Sequence, residues 1–178
     1  DKLWPYLITF RRGDIKMTDL TVRIPEGTIA HWDFYGEDIY DLLGAVLITG
    51  ETVSSFFENV AFLGSPGQNN LHNPFNGLVI MSHYGGVNGA SGTHIIRSSD
   101  FHAIDHPLGF GYLRDADIQI GGSDAYGNTF SEVGNGIGLR DLVRSQAVVS
   151  FNTIHSTIGA GIRLVQPNKN VPDQLSSY

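Results

Sequence analysis

Hydrophobic residues in this chain come in short alternating runs, and two kinds of run recur. The first is a glycine followed by apolar residues at about every second place. It reads GAVLI from Gly44, GLVIM from Gly77, GFGYL from Gly109, GIGLR from Gly136 and GIRLV from Gly161, at intervals of 33, 32, 27 and 25 residues. The second is a short apolar strand closing in a polar step: Leu20 to Val22, Val60 to Phe62, Ser99 to Phe101, Asn128 to Phe130 and Asn152 to Ile154, whose ends lie 40, 39, 29 and 24 residues apart. The two series alternate strictly along the chain. Period-two alternation in runs bounded by Gly, Asn, Asp and Ser predicts strands. Only EDIYDLLGAVL and LRDLVRSQAV carry anything near a helical period.

Like strands that recur in phase suggest stacked repeats, each unable to bury its inner face alone. A β-sandwich would also give evenly spaced strands, but it gives no reason for the phasing. The shrinking period reads as a coil whose loop insertions decrease along the chain. The tail NTFSEVGNGIGLRDLVRSQAVVSFNTIHSTIGAGIRL (128–164) and the run GDIKMTDLTVRI (13–24) resemble the right-handed parallel β-helix, or pectin-lyase-like, superfamily. Asn128 and Asn152 resemble the turn asparagines that stack between turns in that superfamily, with Leu20, Val60 and Ser99 at the equivalent earlier places. The fold the resemblance implies is all-β: a single-stranded right-handed parallel β-helix of about five turns over 13–165, with 1–12 as an N-terminal cap or lead-in and 166–178 as a C-terminal tail. Both ends of such a stack leave strand edges unpaired. The expectation is therefore a part of a larger protein, or end-to-end packing with another copy.

Composition narrows the function classes. The 178 residues carry 11 Lys and Arg against 18 Asp and Glu, a formal charge of −7. With no basic stripe, nucleic acid and anionic membrane are poor partners. No apolar run is long enough to span a bilayer. Cysteine is absent, which excludes disulfides, thiolate metal sites and Cys nucleophiles. Glycine is high, at 22 residues, as suits many tight turns. No Gly-x-Ser-x-Gly elbow, His-Glu-x-x-His or P-loop is present, and Gly134 to Gly138 (GNGIG) follows a turn and not a βα unit.

The insertions fall at residues about 25–42 and 64–76, from one corner of neighbouring turns, and at 82–92 from another. The first mixes His31, Trp32, Phe34, Tyr35 and Tyr40 with Asp33, Glu37, Asp38 and Asp41. Aromatic faces stack on sugar rings while carboxylates bond hydroxyls or a cation, so His31, Trp32, Tyr35 and Tyr40 are candidate substrate-binding residues, with Arg140. The same aromatics equally suit anchoring a long loop on the outer wall. There the outward positions Val46, Val79, Met81 and Leu113 would form an apolar strip.

The densest chemistry is RSSDFHAIDH, from Arg97 to His106. In register, His102, Ser131 and His155 fall in one outward column, with Asp105, His106 and Glu132 just beyond on the same edge. Strands about 4.8 Å apart would put His102 and His155 about 10 Å apart, too far to share a metal or a proton but within the span of a sugar residue. The resemblance implies action on, or binding to, an extracellular polysaccharide by a secreted or periplasmic protein. A lyase needs a base for the proton alpha to a uronate carboxylate and a group that neutralises that carboxylate. His102, His106 or His155 could serve as base, and Arg97 or Arg140 as neutraliser. Glycoside hydrolysis needs two carboxylates, for which Asp105 and Glu132 are the pair. The step Ile104-Asp105-His106 resembles that of pectate lyases, without their basic partner motif. The paired Asp, Gly-His-Gly and Arg-x-Lys elements of polygalacturonases are absent. Asp100, Asp115, Asp117 and Asp124 offer hard oxygen ligands for Ca²⁺, but no Asp-x-Asp-x-Asp loop exists. The alternative is a non-catalytic module for adhesion, glycan binding or scaffolding.

Overall fold

A computed structural model describes residues 6–25, 44–49, 54–64, 76–81 and 92–165. It is all-β. Among the described residues the only helical element is one 3₁₀ turn, Asp124–Tyr126. One sheet has six strands: β1 (Tyr6–Phe10), β3 (Gly44–Thr49), β5 (Asn76–Met81), β8 (His106–Gly111), β11 (Ile137–Arg140) and β14 (Ile162–Val165), paired in that order. The other has eight: β2 (Ile15–Arg23), β4 (Ser55–Leu63), β6 (Gly92–Arg97), β7 (Asp100–His102), β9 (Ala116–Gly121), β10 (Thr129–Ser131), β12 (Gln146–Ser150) and β13 (Thr153–His155). Every strand pairing is parallel.

The eight-stranded sheet divides at a bend. β4 pairs β6 through residues 55–58 and β7 through 61–63. Between them Asn59 takes φ 54°, as Asp19 does in β2 at 56° and Ser98 after β6 at 49°. Left-handed residues turn the chain sharply, and Asp and Asn tolerate that conformation best. The chain thus visits a first flank (the early halves of β2 and β4, then β6, β9 and β12), a second flank (their late halves, then β7, β10 and β13) and the six-stranded sheet, in that order and repeatedly.

One core lies between these faces. The six-stranded sheet turns Val46, Leu78, Leu108 and Ile137 inward as one column, and Ile48, Ile80, Phe110 and Leu139 as the next. The second flank contributes Val22, Phe62, Phe101 and Phe130. The rings of Phe62 and Phe101 stack at 4.9 Å, those of Phe101 and Phe130 at 4.8 Å. This is the strand spacing itself, so each ring covers the one below without a shift of backbone. Each such burial contributes roughly 1.5–3 kcal/mol. A polar ladder braces the bend. Asn128 Nδ2 donates to Asn152 Oδ1 at 2.8 Å, Asn128 Oδ1 accepts the Ser99 N–H at 2.9 Å, and Ser99 Oγ accepts the Val60 N–H at 3.2 Å. Ser99 therefore joins the asparagine ladder, which ends at Val60.

The second strand series stands in the expected register: Val22, Phe62, Phe101, Phe130 and Ile154 align. The glycine series does so only for its last two members, Gly136 and Gly161. Gly44 aligns with Asn76 and not Gly77, and Gly109 aligns with Val79 and Gly138. A one-residue slip exchanges the two faces of a strand. Val46 is accordingly inward and fully buried, and Leu113 is buried behind the corner at Tyr112, φ 57°. Of the supposed outer apolar strip, Val79 and Met81 remain partly exposed. Neither helix-like run is helical where it is described: GAVL opens β3, LRDLVRSQAV runs from β11 round a corner into β12, and EDIYDLL lies outside the described residues. β1 adds to the six-stranded sheet, so the sheet begins inside the 1–12 lead-in. The insertions and the tail 166–178 lie outside the described residues except at their margins.

Candidate functional site

The second flank presents two outward columns. One is Thr21, Ala61, Asp100, Thr129 and Thr153; the other is Arg23, Leu63, His102, Ser131 and His155. His102 Nδ1 lies 2.9 Å from Ser131 Oγ. His155, two strands from His102 and so about 10 Å away, is exposed, with Nδ1 3.4 Å from Ser156 Oγ. Beside these columns a shallow depression is lined by Asp19, Thr21, Asn59, Ala61, Ser98 and Asp100. Asn59 Nδ2 donates to Asp19 Oδ1 there at 2.8 Å. Side chains at alternate places on a three-residue strand stand about 7 Å apart. Hydroxyl, carboxylate and imidazole groups therefore stand on a grid of about 4.8 Å by 7 Å.

Round the corner from His102, after Ala103 at φ 54°, Asp105 and His106 form the closest acid–imidazole pair. Asp105 Oδ2 lies 2.9 Å from His106 Nδ1; the Asp105 side chain is 3% exposed and that of His106 45%. The second oxygen, Oδ1, is buried with no hydrogen-bond partner among the described residues. It packs on Gly134, where any Cβ would overlap it. Glycine at 134 is what lets the carboxylate sit inside. The other ring nitrogen, Nε2, lies 3.4 Å from Asn135 Nδ2. An imidazole with a carboxylate beside one ring nitrogen can accept or donate a proton at the other.

The other expected residues fall elsewhere. Arg97 ends β6 on the first flank, where it pairs with Glu58 at 2.8 Å and lies over the rings of Phe56 and Tyr126. Its charge is already matched. Arg140 ends β11 on the six-stranded sheet, exposed, bonded to Asp141 at 3.0 Å and over Tyr112. Glu132 follows Ser131 at the corner, φ 53°, in register with Ala103 and one place beyond the histidine column. His31, Trp32, Tyr35 and Tyr40 lie outside the described residues. Of the Ca²⁺ candidates, Asp115 takes two bonds from Arg144, at 2.7 and 2.6 Å, which hold its carboxyl below the usual range. Asp117 bonds Gln146 at 2.7 Å, Asp124 sits in the 3₁₀ turn, and Asp100 is exposed beside the depression. Among the described residues no three His, Asp or Glu gather to hold a metal ion.

Sequence reasoning missed Asn135 and Gly134 at the corner. The signal was available: both follow their partners by 29 residues, the spacing that separates Phe101 from Phe130. It also missed a buried pair inside the first flank, His94 Nδ1 at 3.0 Å from Ser55 Oγ. No described helix is long and apolar enough to cross a membrane. With known proteins the chain shows no significant similarity: no family model, curated protein or solved structure matches it.

Proposed function

We propose that the chain winds as a right-handed parallel β-helix of about five turns and that it acts on, or binds, an extracellular polysaccharide through the second flank and its corner. The observation that carries this reading is the Asp105–His106 pair, held from below by Gly134 and adjoining the ladder of His102, Ser131 and His155. In this reading His106 Nε2 takes or gives the proton, Asp105 holds the ring, and the polar columns bind successive sugars. The reaction class is a lyase or glycoside hydrolase, and the location secreted or periplasmic. The experiment is a panel of neutral and uronate polysaccharides assayed for new conjugated double bonds and for new reducing ends. Activity is expected on at least one, with His106→Gln lowering it by ~10²-fold or more while circular dichroism is unchanged. Turnover that survives His106→Gln would refute the assignment of the base.

A second reading, a non-catalytic glycan-binding or scaffolding module, is favoured by one fact: Arg97 is committed to Glu58 and leaves no cation beside His106 from that strand. Saturable glycan binding without turnover, lost when Asp100 and His102 are replaced by alanine, would select it.

A further inference from the structure

Each ring nitrogen of His106 has a polar neighbour, and the two neighbours differ in kind. Asp105 Oδ2, 2.9 Å from Nδ1, suits a bond in either direction, as a carboxylate that accepts or as a carboxylic acid that donates. That distance alone leaves the tautomer open. Asn135 closes it. Its Nδ2 lies 3.4 Å from Nε2, and its Oδ1 accepts the Ala160 N–H at 3.3 Å. A backbone N–H only donates, so the atom facing Ala160 is the amide oxygen and the atom facing His106 is the NH₂. An NH₂ only donates as well, so Nε2 accepts. The proton of the neutral ring then sits on Nδ1, towards Asp105, which takes it as a carboxylate.

Asn135 is held from both sides. Its own N–H donates to the Asp105 carbonyl at 2.7 Å, and the Gly159 N–H donates to the Gly134 carbonyl at 2.6 Å. Gly159 makes the room for Oδ1, since any Cβ there would collide with it. Turned over, the amide would set its NH₂ against the Ala160 N–H and its oxygen towards Nε2. The next turn of chain therefore locks the amide, and the amide sets the ring. We infer that Asn135 is a positioning residue that keeps the lone pair of His106 on Nε2, so that this atom rests ready to take a proton and not to give one. The use of that base rests on the reading above; the tautomer does not. A substrate O–H or C–H takes the place of the amide at Nε2. As its proton bonds to Nε2 the electron pair stays on the donor atom, and the Asp105 carboxylate offsets the charge on the ring.

The test is long-range ¹H–¹⁵N NMR of the intact chain with labelled histidine at about pH 8, where an ordinary imidazole is neutral. The His106 ring, assigned by the signal lost in His106→Gln, should carry its proton on Nδ1. Asn135→Asp keeps an oxygen for the Ala160 N–H but turns the group at Nε2 from donor to acceptor. The fraction of rings with a proton on Nε2 should then rise at least about tenfold. On any polysaccharide that the parent turns over, the same variant should lower kcat at least about tenfold with little change in KM. A parent ring with its proton on Nε2, an Asn135→Asp ring with the parent's tautomer, or an unchanged kcat would each overturn the inference. The NMR readout needs no substrate and begins with the parent. If the ring behaves as stated and no polysaccharide is turned over, the polysaccharide reading fails and the tautomer assignment stands.

Discussion

Acidification should destabilise this protein through a buried imidazole. His94 is fully buried in the inward column Ile15, Ser55, His94, Ile118 and Ala147. Nδ1 lies 3.0 Å from Ser55 Oγ, the Phe110 ring is 6.3 Å away, and Nε2 has no hydrogen-bond partner among the described residues. Burial with no acid to compensate lowers its pKa from 6.5 to about 4, because the charged form would lose its hydration. In the unfolded chain the ring titrates near its ordinary value. Between these values the unfolded chain binds the extra proton and the folded one does not. The stabilisation is therefore complete above about pH 6.5 and is lost progressively as pH falls towards 4. The gap between 6.5 and about 4, at roughly 1.4 kcal/mol per pH unit, comes to about 3 kcal/mol. That is a large part of the ~5–15 kcal/mol that holds a typical domain folded.

The assay is urea unfolding at several pH values across that window, for the parent and for His94→Gln, which keeps a polar contact to Ser55 but does not titrate. Carboxylates elsewhere contribute alike to both chains, so the difference between the two curves isolates His94. The parent should lose about 3 kcal/mol more than the variant between the two ends of the window. Parallel curves would refute the reasoning, since they would mean that the imidazole is solvated in the folded state or accepts its proton without cost.

Two further predictions concern what holds the second flank in place. Phe101→Ala removes the middle ring of the Phe62–Phe101–Phe130 stack. It should cost about 3–5 kcal/mol in chemical unfolding, and Phe101→Leu much less. Asn128→Ala strips bonds from the Ser99 N–H and the Ile96 carbonyl, both inside the structure, and should cost about 2–4 kcal/mol. Hydrogen exchange should then quicken first at Ser99, and equal protection there in parent and variant would count against the ladder.

Parts of this architecture were legible because the burial pattern and the repeat reinforced each other. Val22, Phe62, Phe101, Phe130 and Ile154 are each a large apolar residue closing a short run, and one alignment places all five in one column. The glycines misled because glycine does not report which face it occupies. Gly44 lies under the Tyr6 ring, close enough that a Cβ would collide with it. Gly109 and Gly138 lie mid-strand in open space, with no atom closer than 3.7 Å to a Cβ built there. Gly136 packs on the Gly161 carbonyl. Glycine thus marks close approaches at Gly44 and Gly136 but unconstrained places at Gly109 and Gly138, so aligning glycines aligns unlike positions. The inward pair Val46 and Leu78 was the better guide.

The corner was less legible for a related reason. Asp105 looks like an ordinary surface carboxylate until the residue beneath it is known, and that residue is far away in sequence. Yet the repeat supplies the rule. Where two successive repeats differ by 29 residues, side-chain partners recur at that separation: His102 with Ser131, His106 with Asn135, Asp115 with Arg144 and Asp117 with Gln146. In a parallel stack a contact between neighbouring repeats is a fixed offset, so loop length alone decides which residues meet. Adding one residue between Ser131 and Gly134 would move Gly134 from under Asp105 and put a side chain there. The carboxylate would be pushed outward and His106 would lose its neighbour at Nδ1, with the strands on either side unchanged. The chemistry of the corner thus depends on the length of a short turn, and the composition of the strands carries no trace of it.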